Sequence, residues 1–359
     1  MHTCANLKVH LFPSKELPMN RLNMAVAGLG QMGRIHVSNI VKLPQARLHA
    51  VASRRPDVAH DIAERFHADR SYTDYIQLFS DLELDAVVIA SGCAEHATHI
   101  VQAAQHKLPI FTEKPISFTL EAIDQALTAV EEASVPFQVG FMRRFDPGYA
   151  AAKQKIAEGA IGRPVMFKAV SRDPFWPEKQ DGPGYNTTFL DLGVHDFDLA
   201  RWLMGSEVRE VYATGGALVY PKLAEFGDVD NAVVNLVFDN GALGSVDFSR
   251  NARYGYDIRA EVLGDEGALM IGGLQQTPVH LLSRSGVSHD VFPWYPERFA
   301  DAFLAELAAF AEAVQTGRTP QPGGVDGRRA SEIGLAAVAS WRSGQPVSVT
   351  HKAQQAIET

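Results

Sequence analysis

Cysteine is almost missing from this chain: 359 residues contain two, Cys4 and Cys93. One lies near the N-terminus and the other just behind an apolar run, which excludes a disulfide-stapled scaffold and fits a cytoplasmic protein. Long apolar runs are missing as well. No stretch approaches the roughly 20 residues that span a bilayer, so a membrane partner is not expected. Residues 1–20 lack an apolar core followed by a cleavage site, and Pro13 and Pro18 interrupt any helix there. They read as a disordered extension, with Met19 or Met24 able to serve as the natural start. Blocks of positive charge are absent too. No Lys/Arg run exceeds a pair and the formal net charge is −9, which argues against nucleic acid or a membrane surface as partner. There is no internal repeat, low-complexity tract or long linker. What is there is an ordinary globular composition, 46% hydrophobic, in a chain long enough for two domains with separate cores.

Met24–His36, MAVAGLGQMGRIH, reads as a buried strand, a glycine turn and the first turn of a helix. Gly28, Gly30 and Gly33 have the spacing of the dinucleotide fingerprint. The first allows a tight turn, the second leaves no Cβ between backbone and pyrophosphate, and the third lets the helix lie close on the sheet. Free N–H groups at the helix start would face the phosphates.

Strands and helices then alternate. Arg47–Ser53, Asp85–Ala90, Leu108–Thr112 and Val135–Gly140 read as strands. Pro56–Phe66, Tyr75–Leu82, His96–His106 and Leu120–Ala133 read as helices. That spacing predicts an α/β doubly wound parallel sheet over residues 21–140. Beyond Gly140 the pattern changes to long strands, with a hairpin signal at Asn240-Gly241 and a turn at Asp265–Gly267. Residues 141–350 therefore read as an α+β domain on a large open, mostly antiparallel sheet. It contains a helix over Asp196–Met204 and ends in helices over Arg298–Gln315 and Gly327–Arg342.

Two places could carry chemistry. Glu113-Lys114-Pro115 follows a strand, and in such a sheet ligands lie beyond the carboxyl ends of the strands. Lys114 could hold a substrate hydroxyl and a ribose there, or be an ordinary surface lysine. Asp191 and His195 stand four apart at a helix entry. On one face, the carboxylate would orient the imidazole and raise its basicity, making a general base. Alternatively Asp191 caps the helix and His195 is a satisfied buried histidine. Asp196 and Asp198 read as a solvated face. His36 reads as packing on the first helix. His96 and His99 lack the further ligands of a closed metal shell, so no metal is expected. Of Tyr254 and Tyr256 one could reach substrate, and Arg143 and Arg144 could bind hydroxyls or pair with Asp146. The loop Asp173–Thr188, rich in Pro and Gly, would shape the rim.

AVAGLGQMGRIH, FTEKPIS, GFMRRFDPGY, FLDLGVHDFDLARWL and NARYGYDIRAEVLGDEGAL together resemble the family of glucose-fructose oxidoreductase, inositol dehydrogenase and rhizopine catabolism proteins (Gfo/Idh/MocA) over roughly Asn23 to Val349. GFMRRFDPGY and ARYGYDI most resemble its inositol 2-dehydrogenases. The resemblance implies a Rossmann domain and an NAD(P)-dependent dehydrogenase acting on a secondary alcohol of a cyclitol or sugar. It makes Lys114, Asp191 and His195 catalytic, with Arg144, Asp173 and Tyr254 as further substrate contacts. Cofactor contacts are expected at Gly28, Gly30, Gln31, Met32 and Gly33. They are also expected at Ser53, Arg54, Ser91, His96, Glu113 and Lys114. The open sheet is expected to join two or four copies. The second strand ends in Ser53-Arg54-Arg55 rather than a carboxylate, so nothing there repels a 2′-phosphate and the sequence leans to NADP over NAD. Two rivals stand beside this reading: a sugar or anhydrosugar dehydrogenase of the same family, and a non-catalytic sensor of NAD(P) or sugar.

Overall fold

The computed structural model of the chain describes residues 21–176 and 188–349. The N-terminal extension and most of the expected rim loop lie outside the described residues.

The first sheet contains β1 (Leu22–Ala27), β2 (Ala46–Ala52), β3 (Arg70–Tyr72), β4 (Ala86–Ile89), β5 (Ile110–Thr112) and β6 (Phe137–Val139). All pairs are parallel, in the order β3-β2-β1-β4-β5-β6. β1 explains its own composition. Met24 and Val26 enter one core while Ala25 and Ala27 enter the core on the opposite face, and all four are fully buried. Where a strand is covered on both faces it has no position for a polar side chain, and the one polar residue of β1, Asn23, sits at its partly exposed start. The strand order reverses between β1 and β4, which leaves a crevice outside their carboxyl ends.

Two local readings change. β3 escaped detection because Arg-Ser-Tyr at a sheet edge shows no apolar alternation. The helix expected over Tyr75–Leu82 stops at Phe79. Asp81 turns inward to accept from Arg70 and Tyr72, and Leu82 is left fully exposed.

The second sheet contains β7 (Pro164–Arg172), β8 (Val208–Gly216), β9 (Asn231–Phe238), β10 (Leu243–Ser249), β11 (Asp257–Gly264) and β12 (Ala268–Ile271). An exposed hairpin, β13 (His280–Ser283) and β14 (Gly286–His289), stands apart, and β15 (Val347–Ser348) closes the edge. The order is β12-β11-β7-β10-β9-β8-β15, antiparallel except for the parallel pair β7 and β10. One face is buried: Ala232, Val234, Leu236 and Phe238 of β9 point inward. Helices Gly193–Met204 and Gly324–Ser343 cover that face through Phe197, Leu203, Ile333 and Ala337. The outer face leaves Tyr212, Val233, Leu243 and Leu263 substantially exposed.

The helix Ala300–Thr316 divides its apolar face: Ala302 and Phe303 share a small core with Ile258 of β11, and the rest turns to the first sheet. Leu307, Phe310 and Ala311 fill the core beside Val26, Val37 and Phe111, so the chain returns to cover the first sheet.

Candidate active site

Four turns at the carboxyl ends of the first sheet meet at the crevice. Gly28–Gly30 follows β1, Ala90–Cys93 follows β4, Glu113-Lys114 follows β5 and Gly140–Met142 follows β6. The glycines of the first turn are sterically required. Gly28 has φ +101°, and a Cβ on Gly33 would sit 1.8 Å from the Gly28 carbonyl oxygen. A Cβ on Gly30 would meet nothing within 4 Å. The open side of the turn thus faces the crevice, and the helix Gln31–Ile40 starts there without a side-chain cap. Uncapped N–H groups beside open space suit the phosphates of a dinucleotide. His96 lies within hydrogen-bond distance of the carbonyls of Pro115 (2.9 Å) and Ser91 (3.0 Å), tying the β4 and β5 turns together.

The second domain supplies the other wall. Thr188–Leu192 makes one π-helical turn that runs into the helix Gly193–Met204. Between the walls is a cavity of about 530 Å³. Gly30, Gln31, Met32, Ser91, His96 and Glu113 line its first-domain side, and Lys114, Asp173, Asp191 and His195 line it as well.

The charges differ from the sequence expectation in one respect. Lys114 Nζ donates to Asp191 Oδ1 at 2.5 Å and to the Asp191 carbonyl at 3.1 Å. Burial opposes both charges. The pairing outweighs it, so Asp191 lies below the ordinary carboxylate range and Lys114 above the ordinary amine range. Asp191 was expected to partner His195. Lys114, arriving from β5, takes that carboxylate instead. His195 is buried, with Nδ1 lacking a hydrogen-bond partner. Burial first, then Lys114 and Arg143, hold it well below 6.5, so its basicity falls instead of rising.

Other expected contacts lie elsewhere. Arg144 donates to both Asp198 oxygens (2.8 and 2.6 Å) and to Asp326 (2.8 Å), away from the cavity lining. Asp196 and Asp198 are buried rather than solvated because they neutralise Arg143 and Arg144. Asp146 instead caps the helix Pro147–Ala157 and pairs with Arg298. Tyr254 is half-exposed and bonded to Asp257 and Arg172, while the buried Tyr256 lines the cavity. Ser53 Oγ accepts from the Arg55 N–H. Arg54 pairs with Glu95 at 2.9 Å, and neither Ser53 nor Arg54 borders the cavity.

The first domain matches, over residues 22–141, the oxidoreductase family with an NAD-binding Rossmann fold, and residues 153–349 match that family's C-terminal alpha/beta domain. The chain belongs to the Gfo/Idh/MocA oxidoreductase family. It is 39% identical to the scyllo-inositol 2-dehydrogenase (NAD(+)) of Bacillus subtilis, covering 93% of this chain and 98% of that protein. It is 37% identical to the myo-inositol 2-dehydrogenase of Thermotoga maritima, covering 88% and 95%. The structure of the scyllo-inositol dehydrogenase from Lactobacillus casei with bound NAD(H) and scyllo-inositol superposes with a TM-score of 0.87 at 28% identity, covering 92% of this chain and 99% of that one.

For this family member, sequence reasoning missed several residues around the cavity. Arg250, Trp294, Tyr295 and Phe303 line it; the first three carry no mark of spacing or composition, and Phe303 reads by helical spacing only as a core position of the helix over Arg298–Gln315. Arg250 immediately precedes the quoted NARYGYD segment, which was the nearest available signal.

A buried cluster behind Lys114 was also missed. His36 Nε2 lies 2.6 Å from Glu113 Oε1, so His36 pairs as well as packs. Glu306, from the returning helix, joins them with ligand atoms within 4.8 Å of one another. Glu306 is fully buried and neither carboxylate oxygen has a hydrogen-bond partner. Burial, then the charge of Glu113, hold it well above 4.5, so we expect a neutral acid there. A raised folded-state value means its stabilising effect is complete below about pH 4.5 and is lost as pH rises through the folded-state value. Glu306→Gln stays neutral and escapes that loss. Urea unfolding should show the variant more stable than the parent near neutral pH, with the difference shrinking towards pH 4.5. A variant less stable at neutral pH alone would mean that Glu306 is ionised.

Proposed function

We propose that the protein is an NAD-dependent dehydrogenase that oxidises a secondary ring hydroxyl of a cyclitol of the inositol type. The observation that carries this is the meeting of Lys114, Asp191 and His195 in one cavity with the uncapped glycine turn. Inositol dehydrogenases among the relatives support the substrate class.

In this mechanism the Lys114 ammonium, held by Asp191, donates a hydrogen bond to the reacting hydroxyl oxygen. His195 is neutral at physiological pH and therefore in its accepting form. It takes the hydroxyl proton as the carbon becomes a carbonyl. A bound nicotinamide would supply the hydride acceptor. Position and charge are the protein's contribution. His195→Ala should lower kcat by about 100- to 10,000-fold, read as absorbance in the reduced-nicotinamide band with a panel of inositols and hexoses. The acidic limb of the parent kcat/KM profile should lie below pH 6.5, because a lowered value keeps the base free to lower pH. Lys114→Met should move that limb upward. Cofactor and polyol binding without reduction across the panel would favour a sensor.

For the cofactor, NAD is favoured over the NADP suggested by Ser53-Arg54. Arg54 is already engaged by Glu95, whose carboxylate would oppose a 2′-phosphate. Arg54→Ala should leave the NAD-to-NADP ratio of kcat/KM above unity and change it little. A parent enzyme that prefers NADP and loses that preference in Arg54→Ala would reverse the assignment.

The half-exposed apolar residues on the outer face of the second sheet support pairing of two copies through that face. Leu243→Lys should shift the light-scattering mass towards the monomer. A parent protein that is already monomeric at micromolar concentration removes the proposal.

A further inference from the structure

The second-domain side of the cavity carries a second polar pair. β7 and β10 run parallel, with Ser249 opposite Arg172, so their carboxyl ends lie side by side. The next residues are Asp173 and Arg250. Backbone bonds fix both: the Asp173 N–H donates to the Ser249 carbonyl and the Arg250 N–H to the Asp230 carbonyl, each at 2.8 Å. Both side chains line the cavity and are buried, Asp173 at 9% and Arg250 at 3% exposure. Arg250 Nε donates to Thr188 Oγ1 at 3.2 Å, which anchors the guanidinium at the start of the turn that carries Asp191. Its Nη2 is buried without any hydrogen-bond partner. A guanidinium presents several N–H donors in a planar fork, and a buried donor without an acceptor is costly. Arg250 therefore lines the cavity with one terminal nitrogen still lacking an acceptor, beside a carboxylate that can accept.

We infer that Arg250, together with the Asp173 carboxylate that the family resemblance already makes a substrate contact, clamps two neighbouring hydroxyls of the substrate ring on carbons other than the reacting one. The guanidinium donates hydrogen bonds to both oxygens, and one hydroxyl donates a hydrogen bond to the carboxylate. The charge balance favours a neutral diol over an acidic group. The cations lining the cavity, Lys114 and Arg250, face three carboxylates, Glu113, Asp173 and Asp191, so no surplus positive charge awaits a carboxylate or phosphate. Arg250 is thus a specificity residue for the polyol oxidation proposed above, and the inference rests on that reading.

The test compares each inositol with analogues deoxygenated at one remote position, in the parent enzyme, Arg250→Met and Arg250→Lys. In the parent, loss of a clamped hydroxyl should lower kcat/KM about 10- to 100-fold, the size expected for a hydrogen bond to a charged group. In Arg250→Met that penalty should fall to within about threefold, and Arg250→Lys should lie between, since it keeps the charge but not the fork. The ratio is taken within one protein, so partial misfolding cancels and a merely structural role for Arg250 would leave it unchanged. Variants that keep the parental ratio for every remote hydroxyl overturn the clamp. A parallel series of deoxyhexoses shows whether the diol belongs to a cyclitol or a sugar. A parent enzyme that turns over no polyol overturns the underlying function instead. Calorimetric titration of inositol in the presence of NADH then decides the clamp, with equal affinity for parent and Arg250→Met counting against it.

Discussion

The ion pair between Lys114 and Asp191 joins the two halves of the molecule at the place where chemistry can occur. One partner stands at the end of a buried parallel strand, the other in a π-helical turn of the second domain. Burial opposes both charges, and the pairing offsets that cost for each. Together they position an ammonium group in the cavity and leave His195 uncharged beside it. The same pairing sets the electrostatics of its neighbours: Lys114 helps to depress His195, and Asp191 helps to raise Cys93 to about 12, after burial.

The segment from Thr188 to Met204 extends this logic along its length. Asp196 meets Arg143 at 2.7 Å, Asp198 meets Arg144 at 2.6 Å, and Arg201 meets Glu207 at 2.5 Å. Both arginines at 143 and 144 come from the connection out of β6. Charges on one helix therefore fasten the connection out of β6 to the second domain, with Phe197 and Leu203 filling the core beneath. Buried pairs of this kind are poor sources of net stability but exact a high cost when mispaired, which suits an interface that must hold one geometry.

Much of this was legible along the chain. The glycine spacing, the apolar β1 run and the alternation of strands and helices identified the first sheet, because a strand covered on both faces and a turn without Cβ atoms leave local marks. The Asn240-Gly241 hairpin and the alternating β9 were readable for the same reason: burial on one side repeats every second residue. The edge strand Arg70–Tyr72 left no mark, being short and polar. Asp198 looked solvated because a charged residue in sequence gives no hint of an arginine partner 54 residues away.

The chain alone determined the fold class, the glycine-turn crevice and the residues Lys114, Asp191 and His195 as candidates, since each depends on local pattern or on motifs read in line. Tertiary structure decided who pairs with whom. Asp191 went to Lys114 rather than to the histidine four residues on, Arg144 and Tyr254 were drawn into ion pairs and hydrogen bonds outside the cavity, and Arg250 and Glu306 arrived from distant strands and helices. Partner choice between charges depends on distance and burial in three dimensions, and neither quantity is encoded in the spacing of any single segment.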